Sequence, residues 1–171
     1  MKNTLQSRNF RFEITEEGDN KSVADFIWQI VDVTIPTITL NETTISIPGT
    51  SNIRGAGTTL TLGDIDIEFL MDSDYTAYTN LYTWILSANA GLHGVNADNI
   101  SYKKDALLMV LDSTQQKIVT VYKFYDIFPT NLDALSFTYG ETGAIDAVTC
   151  NATFSFAKQD LLDKNLNIIE V

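Results

Sequence analysis

Along most of this chain apolar and polar side chains alternate with the two-residue period of a strand that buries one face. Phe10, Phe12 and Ile14 alternate with Arg11 and Glu13, which predicts a first strand, and Glu16-Glu17-Gly18-Asp19-Asn20 reads as a loop. Phe26 to Val33 predicts a second strand, apolar on both faces over most of its length, which Pro36 interrupts or ends. Shorter strands are expected at Ile38 to Leu40 and at Thr44 to Ile47. Leu60 and Leu62 fall on even positions whereas Ile65, Ile67, Phe69 and Met71 fall on odd ones, so the change of phase at Gly63 predicts a β-bulge. Further strands are expected at Asp105 to Asp112, Gln116 to Ile127, Ala134 to Tyr139 and Ile145 to Ala157, with a hairpin turn at Asp112-Ser113-Thr114-Gln115.

One segment breaks that period. Tyr75, Tyr78, Leu81, Tyr82, Ile85 and Leu86 recur at helical spacing behind Asp72-Ser73-Asp74, which offers an N-cap and a first-turn carboxylate. They predict one amphipathic helix over about residues 73–87, its aromatic stripe packed on the sheet. Pro48 to Gly57, rich in Gly, Ser and Asn, predicts a turn or a protruding hairpin tip. Ala88 to Tyr102 reads as a long polar connection, and the residues after about Gln159 as an arm more than a core element.

Composition narrows the class. At 171 residues the chain makes one domain, and the weight of Thr, Ile and Val makes that domain mostly β. Its formal charge of −11 argues against a nucleic-acid reader, because duplex affinity comes from Lys and Arg and no basic cluster exists beyond Lys103-Lys104. No apolar stretch approaches the ~18 residues of a membrane span, and Met1 to Ser7 lacks the apolar core of a signal peptide. A chain soluble and intracellular at synthesis, with no membrane anchor, is expected.

Candidate chemistry is sparse. Asp64, Asp66 and Glu68 stand at i, i+2 and i+4, so a regular strand puts all three carboxylates on one face. That face is a plain solvated surface, the wall of a charged channel or interface, or a metal or catalytic site, and a strand alone supplies no further ligands for the last. Val148, Cys150, Ala152, Phe154 and Phe156 face one way in the last strand, while Thr149, Asn151, Thr153 and Ser155 form an uncharged polar face that is an alternative channel lining. Cys150 reads as an inert core thiol and His93 as an exposed loop residue. No catalytic residue, metal site or cofactor is expected, and the chain is read as no enzyme.

The order of segments resembles that of the tail tube proteins of contractile-tailed bacteriophages, whose fold is shared with the inner-tube proteins of type VI secretion systems. Tyr102-Lys103-Lys104-Asp105-Ala106 opens a strand pair, Phe128-Pro129-Thr130-Asn131 follows it, and Cys150-Asn151-Ala152-Thr153-Phe154-Ser155-Phe156 closes the domain as in that family. Asn9 to Ile14 resembles its first strand, Ile47-Pro48-Gly49 opens a segment like its protruding hairpin, and Met71-Asp72 leads into its single helix.

The resemblance implies a β-sandwich or barrel with one flanking α-helix: an arm at 1–8, the β-domain at 9–158 and a second arm at 159–171. It also implies a structural virion protein whose hexameric rings stack into the tail tube, the conduit for DNA ejection, assembled in the host cytoplasm. Tail sheath, baseplate and tape-measure proteins are the implied partners, and DNA passes without specific binding. Asp64, Asp66 and Glu68 are then candidates for the lumen, and Thr50, Ser51, Asn52, Ile53 and Arg54 for the loop that stacks rings. Ala88 to Asn99 and the tail after Asp160 lack counterparts in the family. They leave open a tube initiator or capping protein at the baseplate. An inner-tube protein of a contractile injection system, or a monomeric sandwich binding sugar or calcium, are the other readings.

Overall fold

The computed structural model describes residues 9–15, 30–49, 51–92, 102–135 and 147–169. The elements run β1 (Phe10–Thr15), β2 (Ile30–Thr34), β3 (Ile38–Ile45), β4 (Ile53–Leu62), β5 (Ile65–Leu70), α1 (Thr76–Leu92), β6 (Lys104–Leu111), β7 (Ile118–Leu132), β8 (Thr149–Ser155) and β9 (Lys158–Leu162). Every ladder is antiparallel. The main sheet runs β1-β6-β7-β8-β5-β2, with β9 also on β7, and β3-β4 form a separate two-stranded ribbon.

The fifteen-residue strand β7 joins the two halves of the main sheet. Its first part pairs with β6 and β9 and its end, from Phe128, pairs with β8. The change comes at Asp126, which has φ of 56°, and Pro129 sits where the β7–β8 register shifts, a place where a missing N–H is tolerated. Alternation then does the sorting: Phe12 and Ile14, Ala106 and Leu108, Cys150, Ala152 and Phe154, and Ile65, Ile67 and Phe69 all turn to one core. Residues from both halves meet in that cluster, so the sheet closes on itself as a sandwich, the mostly β class read from the sequence.

Helix α1 covers one flank of the core. Ala77, Leu81 and Trp84, at i, i+4 and i+7, are buried, and the Trp84 ring lies 5.8 Å from that of Phe154. Burying a large apolar side chain contributes roughly 1.5–3 kcal/mol, so these positions anchor the helix without any help from charge.

Several expectations change. The two short strands at Ile38 to Leu40 and Thr44 to Ile47 are one strand, β3, because a ribbon exposed on both faces has no buried side to punctuate its polar middle. Gly63 is not a bulge: β4 ends before it and β5 begins after Asp64, so the phase change marks the passage between two sheets. There the Gly63 N–H donates to the Thr37 carbonyl at 2.9 Å, and a Cβ on Gly63 would stand 2.8 Å from Thr37 Oγ1. In the ladders of β2 with β5 and β3 with β4, the bulge-like shifts lie instead between Ile30 and Asp32 and between Leu40 and Glu42.

The helix starts at Thr76 and runs five residues past Ser87, since nothing before Gly91 stops it. Its first carbonyl belongs to Tyr75, at φ 61°, and Asp72 Oδ2 accepts the Thr76 N–H at 3.3 Å, so no carboxylate lies in the first turn. β7 continues through Pro129 to Leu132, and Ala134 and Leu135 lie outside any strand. The residues from Gln159, read as an arm, begin inside β9, where Leu162 is buried opposite Val121. The expected loop at Glu16 to Asn20, the start of the Phe26 strand, His93 and the end of the Ala134 to Tyr139 segment lie outside the described residues.

Candidate functional site

Two polar surfaces proposed separately from the sequence occupy one face of one sheet. Asp66 and Glu68 point away from the core because Ile65, Ile67 and Phe69 between them fill it. Across the β5–β8 ladder Asp66 stands opposite Thr153 and Glu68 opposite Asn151. The Thr153 hydroxyl donates to Asp66 Oδ1 at 2.8 Å. On the other side Thr34 stands opposite Asp66 and Asp32 opposite Glu68. The face continues to β7, where Asn131 pairs with Thr153 and its amide donates to Asp133 at 2.9 Å. Asp64 is exposed but precedes β5, so it stands beside this face and outside the ladder.

Asp32 and Thr34 were not singled out in the sequence. The apolar run from Phe26 hid them, and their signal was the polar pair at i, i+2 in Asp32-Val33-Thr34. No Lys or Arg lies on the paired face among the described residues, and Asp32 and Glu68, two like charges, are directly opposed. The cations of the other half of the sheet are engaged locally. Lys123 pairs with Asp105 at 3.4 Å and Lys158 with Asp160 at 2.7 Å, both lysines lie over the Tyr125 ring, and Lys103 pairs with Asp126 at 3.6 Å. Lys104 lies over the Trp84 ring at 5.0 Å, so both lysines of the one basic dipeptide have partners within the chain.

The ribbon β3-β4 is the second feature. Ser51 and Asn52 lie in the connection between its strands, whereas Ile53 and Arg54 open β4. Arg54 pairs with Glu42 across the ribbon at 3.2 Å, and Thr50 lies outside the described residues. Gly49, at φ 81°, supplies the left-handed residue that the turn needs. Asn41 Oδ1 accepts the Thr59 N–H at 2.9 Å and holds the irregular stretch together. Cys150 is buried on the core face, and burial with Asp133 nearby pushes its thiol above the usual range, as an inert core cysteine requires. No group of metal-binding side chains occurs among the described residues, and no described helix is long and apolar enough to cross a membrane.

Residues 9–159 match the family of phage tail tube proteins. The chain belongs to that family. It is 25% identical over 137 residues to the tail tube terminator protein of Enterobacteria phage T4, covering 72% of this chain and 77% of that one. Among solved structures its fold is that of the tube-terminating cap of the anti-feeding prophage, at a TM-score of 0.68 and 12% identity over 95% of this chain and 93% of the other. The fold of Hcp1 from E. coli EAEC 042 aligns at 0.54 and 11% identity, over 94% and 96%. A tail tube protein is a structural component.

Proposed function

We propose that this tail tube family member closes with copies of itself into a six-membered ring that ends a tail tube. The observation that carries the ring is the polar face of β8, β5 and β2 running out to β2, the terminal strand of the sheet, whose outer edge has no partner among the described residues. An amphipathic sheet with an open edge is a liability in a monomer and a joint in a ring. The end-of-tube role is supported by the similarity to a tail tube terminator over about three quarters of both chains.

In such a ring the polar face lines the lumen. Asp32, Asp66 and Glu68 would set about 18 carboxylates around six subunits, with Asp64 beside them, a field that repels phosphate and lets DNA pass without specific binding. The ribbon tip, with Ser51, Asn52, Ile53 and Arg54, would reach the adjoining ring. Contact with sheath, baseplate and tape-measure proteins in a virion tail, assembled in the host cytoplasm, belongs to the same reading.

Electron microscopy and sedimentation of the purified protein test it. Expected are rings that do not polymerise alone and that halt elongation when added to growing tubes of the cognate tube protein. Long tubes from this chain alone would make it a repeating subunit, and particles of 19.0 kDa at every concentration would remove the ring.

A further inference from the structure

Apart from β8, which is enclosed between β7 and β5, α1 is the only described element without a charged residue: seventeen residues in a chain of net charge −11. Its outer face carries Thr79, Tyr82, Thr83 and Leu86, with Tyr82 51% and Leu86 47% exposed. The threonines do not make that face polar. Thr79 donates its hydroxyl to the Tyr75 carbonyl at 2.9 Å and Thr83 donates to the Thr79 carbonyl at 2.7 Å, so both turn their hydroxyls to the helix. The surface is therefore apolar, on the side of the helix away from the core.

The ribbon has matching properties. Residues 38–62 contain one anion and one cation, Glu42 and Arg54, which pair with each other. Near its base Ile38, Leu40 and Leu60 share one face and are 61%, 51% and 58% exposed. Two copies of so acidic a chain repel wherever their carboxylates meet, and these two neutral apolar surfaces are where they approach without that cost. The surfaces differ, so their contact is head-to-tail, the kind that closes a ring.

We infer that the outer face of α1 in one copy seats on the Ile38, Leu40 and Leu60 face of the ribbon in the next copy. The inference rests on the ring proposed above and adds which surfaces meet. Its test is complementation between two variants, Leu86→Lys on the helix and Leu40→Asp on the ribbon, with Leu60→Asp as a second ribbon variant. Both sites are exposed, and circular dichroism checks that each variant is folded.

Each variant alone should associate about tenfold or more weakly in analytical ultracentrifugation, a loss of about 1.4 kcal/mol per contact. An equimolar mixture should recover wild-type rings, because the helix carrying Leu86→Lys then meets the ribbon carrying Leu40→Asp and the remaining contact is native. Variants that form rings alone, or a mixture that stays dissociated, overturn the contact and leave the ring standing. A wild-type protein that never associates overturns both.

Discussion

The opposed carboxylates Asp32 and Glu68 allow a quantitative prediction about the cost of the acidic face. Directly paired residues on an antiparallel sheet hold their Cβ atoms ~5 Å apart, and at a charge separation of about 6 Å in water the repulsion is roughly 0.7 kcal/mol. Salt at about 0.15 M halves it. Asp32→Asn and Glu68→Gln should each therefore raise the stability of the dissociated protein by about 0.5 kcal/mol at low salt, a rise of about 1–2 °C in Tm for a chain of this size. Glu68→Gln should gain slightly more, since Asp66 stands two residues away on the same face. The double variant should gain little beyond the better single one, because removing either charge removes the repulsion. Urea titrations of the four proteins at low salt and at about 1 M salt, where the Debye length is ~3 Å, read all of these values. Gains that add fully, that persist at high salt, or that turn into losses would show that the pair is not repelling and that the face has no electrostatic cost to explain.

Phe154→Ala should cost about 3–5 kcal/mol in urea unfolding, since this side chain is 2% exposed in a central strand and packs on Trp84. Asn9 is buried, donates to the Asp112 carbonyl at 2.7 Å and accepts from Gln115 at 3.1 Å, so Asn9→Ala should cost about 1–3 kcal/mol through the loss of both bonds, while the Asp112 carbonyl keeps the Gln115 N–H at 3.0 Å. The Thr114 hydroxyl, then the backbone N–H groups of Lys117, Gln116 and Thr114, hold the Asp112 carboxyl below its usual range. The Asn167 backbone N–H does the same for Asp163, and the Lys158 hydrogen bond for Asp160. A carboxyl lowered by folding adds stability above its unfolded pKa and loses it as pH falls through the folded one. Thermal stability should therefore decline below about pH 4, and Asp112→Asn should shrink that decline.

The sequence showed what alternation controls and hid what it does not. β1 and β8 were legible because each buries one face, and each displays Phe12 or Phe154 at the expected parity. β3 was split in two because both of its faces are exposed, so Asn41-Glu42-Thr43 read as an interruption. At Gly63 the change of phase was seen and its cause was not, since parity cannot tell a bulge from a passage between sheets. The candidate face was half legible. Asp66 and Glu68 lie where the spacing put them, but only the register shows that Thr153 and Asn151 are their neighbours and that Asp32 joins them.

The ribbon is spliced into the main sheet at both of its ends. Three residues, Ile35 to Thr37, separate β3 from β2, and two, Gly63 and Asp64, separate β4 from β5. The close Gly63–Thr37 contact ties the two joins together. A protruding element attached this way acts as a lever: a load applied to its far end is delivered to β2 and β5, the two strands that carry Asp32, Asp66 and Glu68. In the ring proposed above, whatever grips the ribbon would therefore also tension the strands of the acidic face, and seating a neighbour and setting the bore would become one mechanical event.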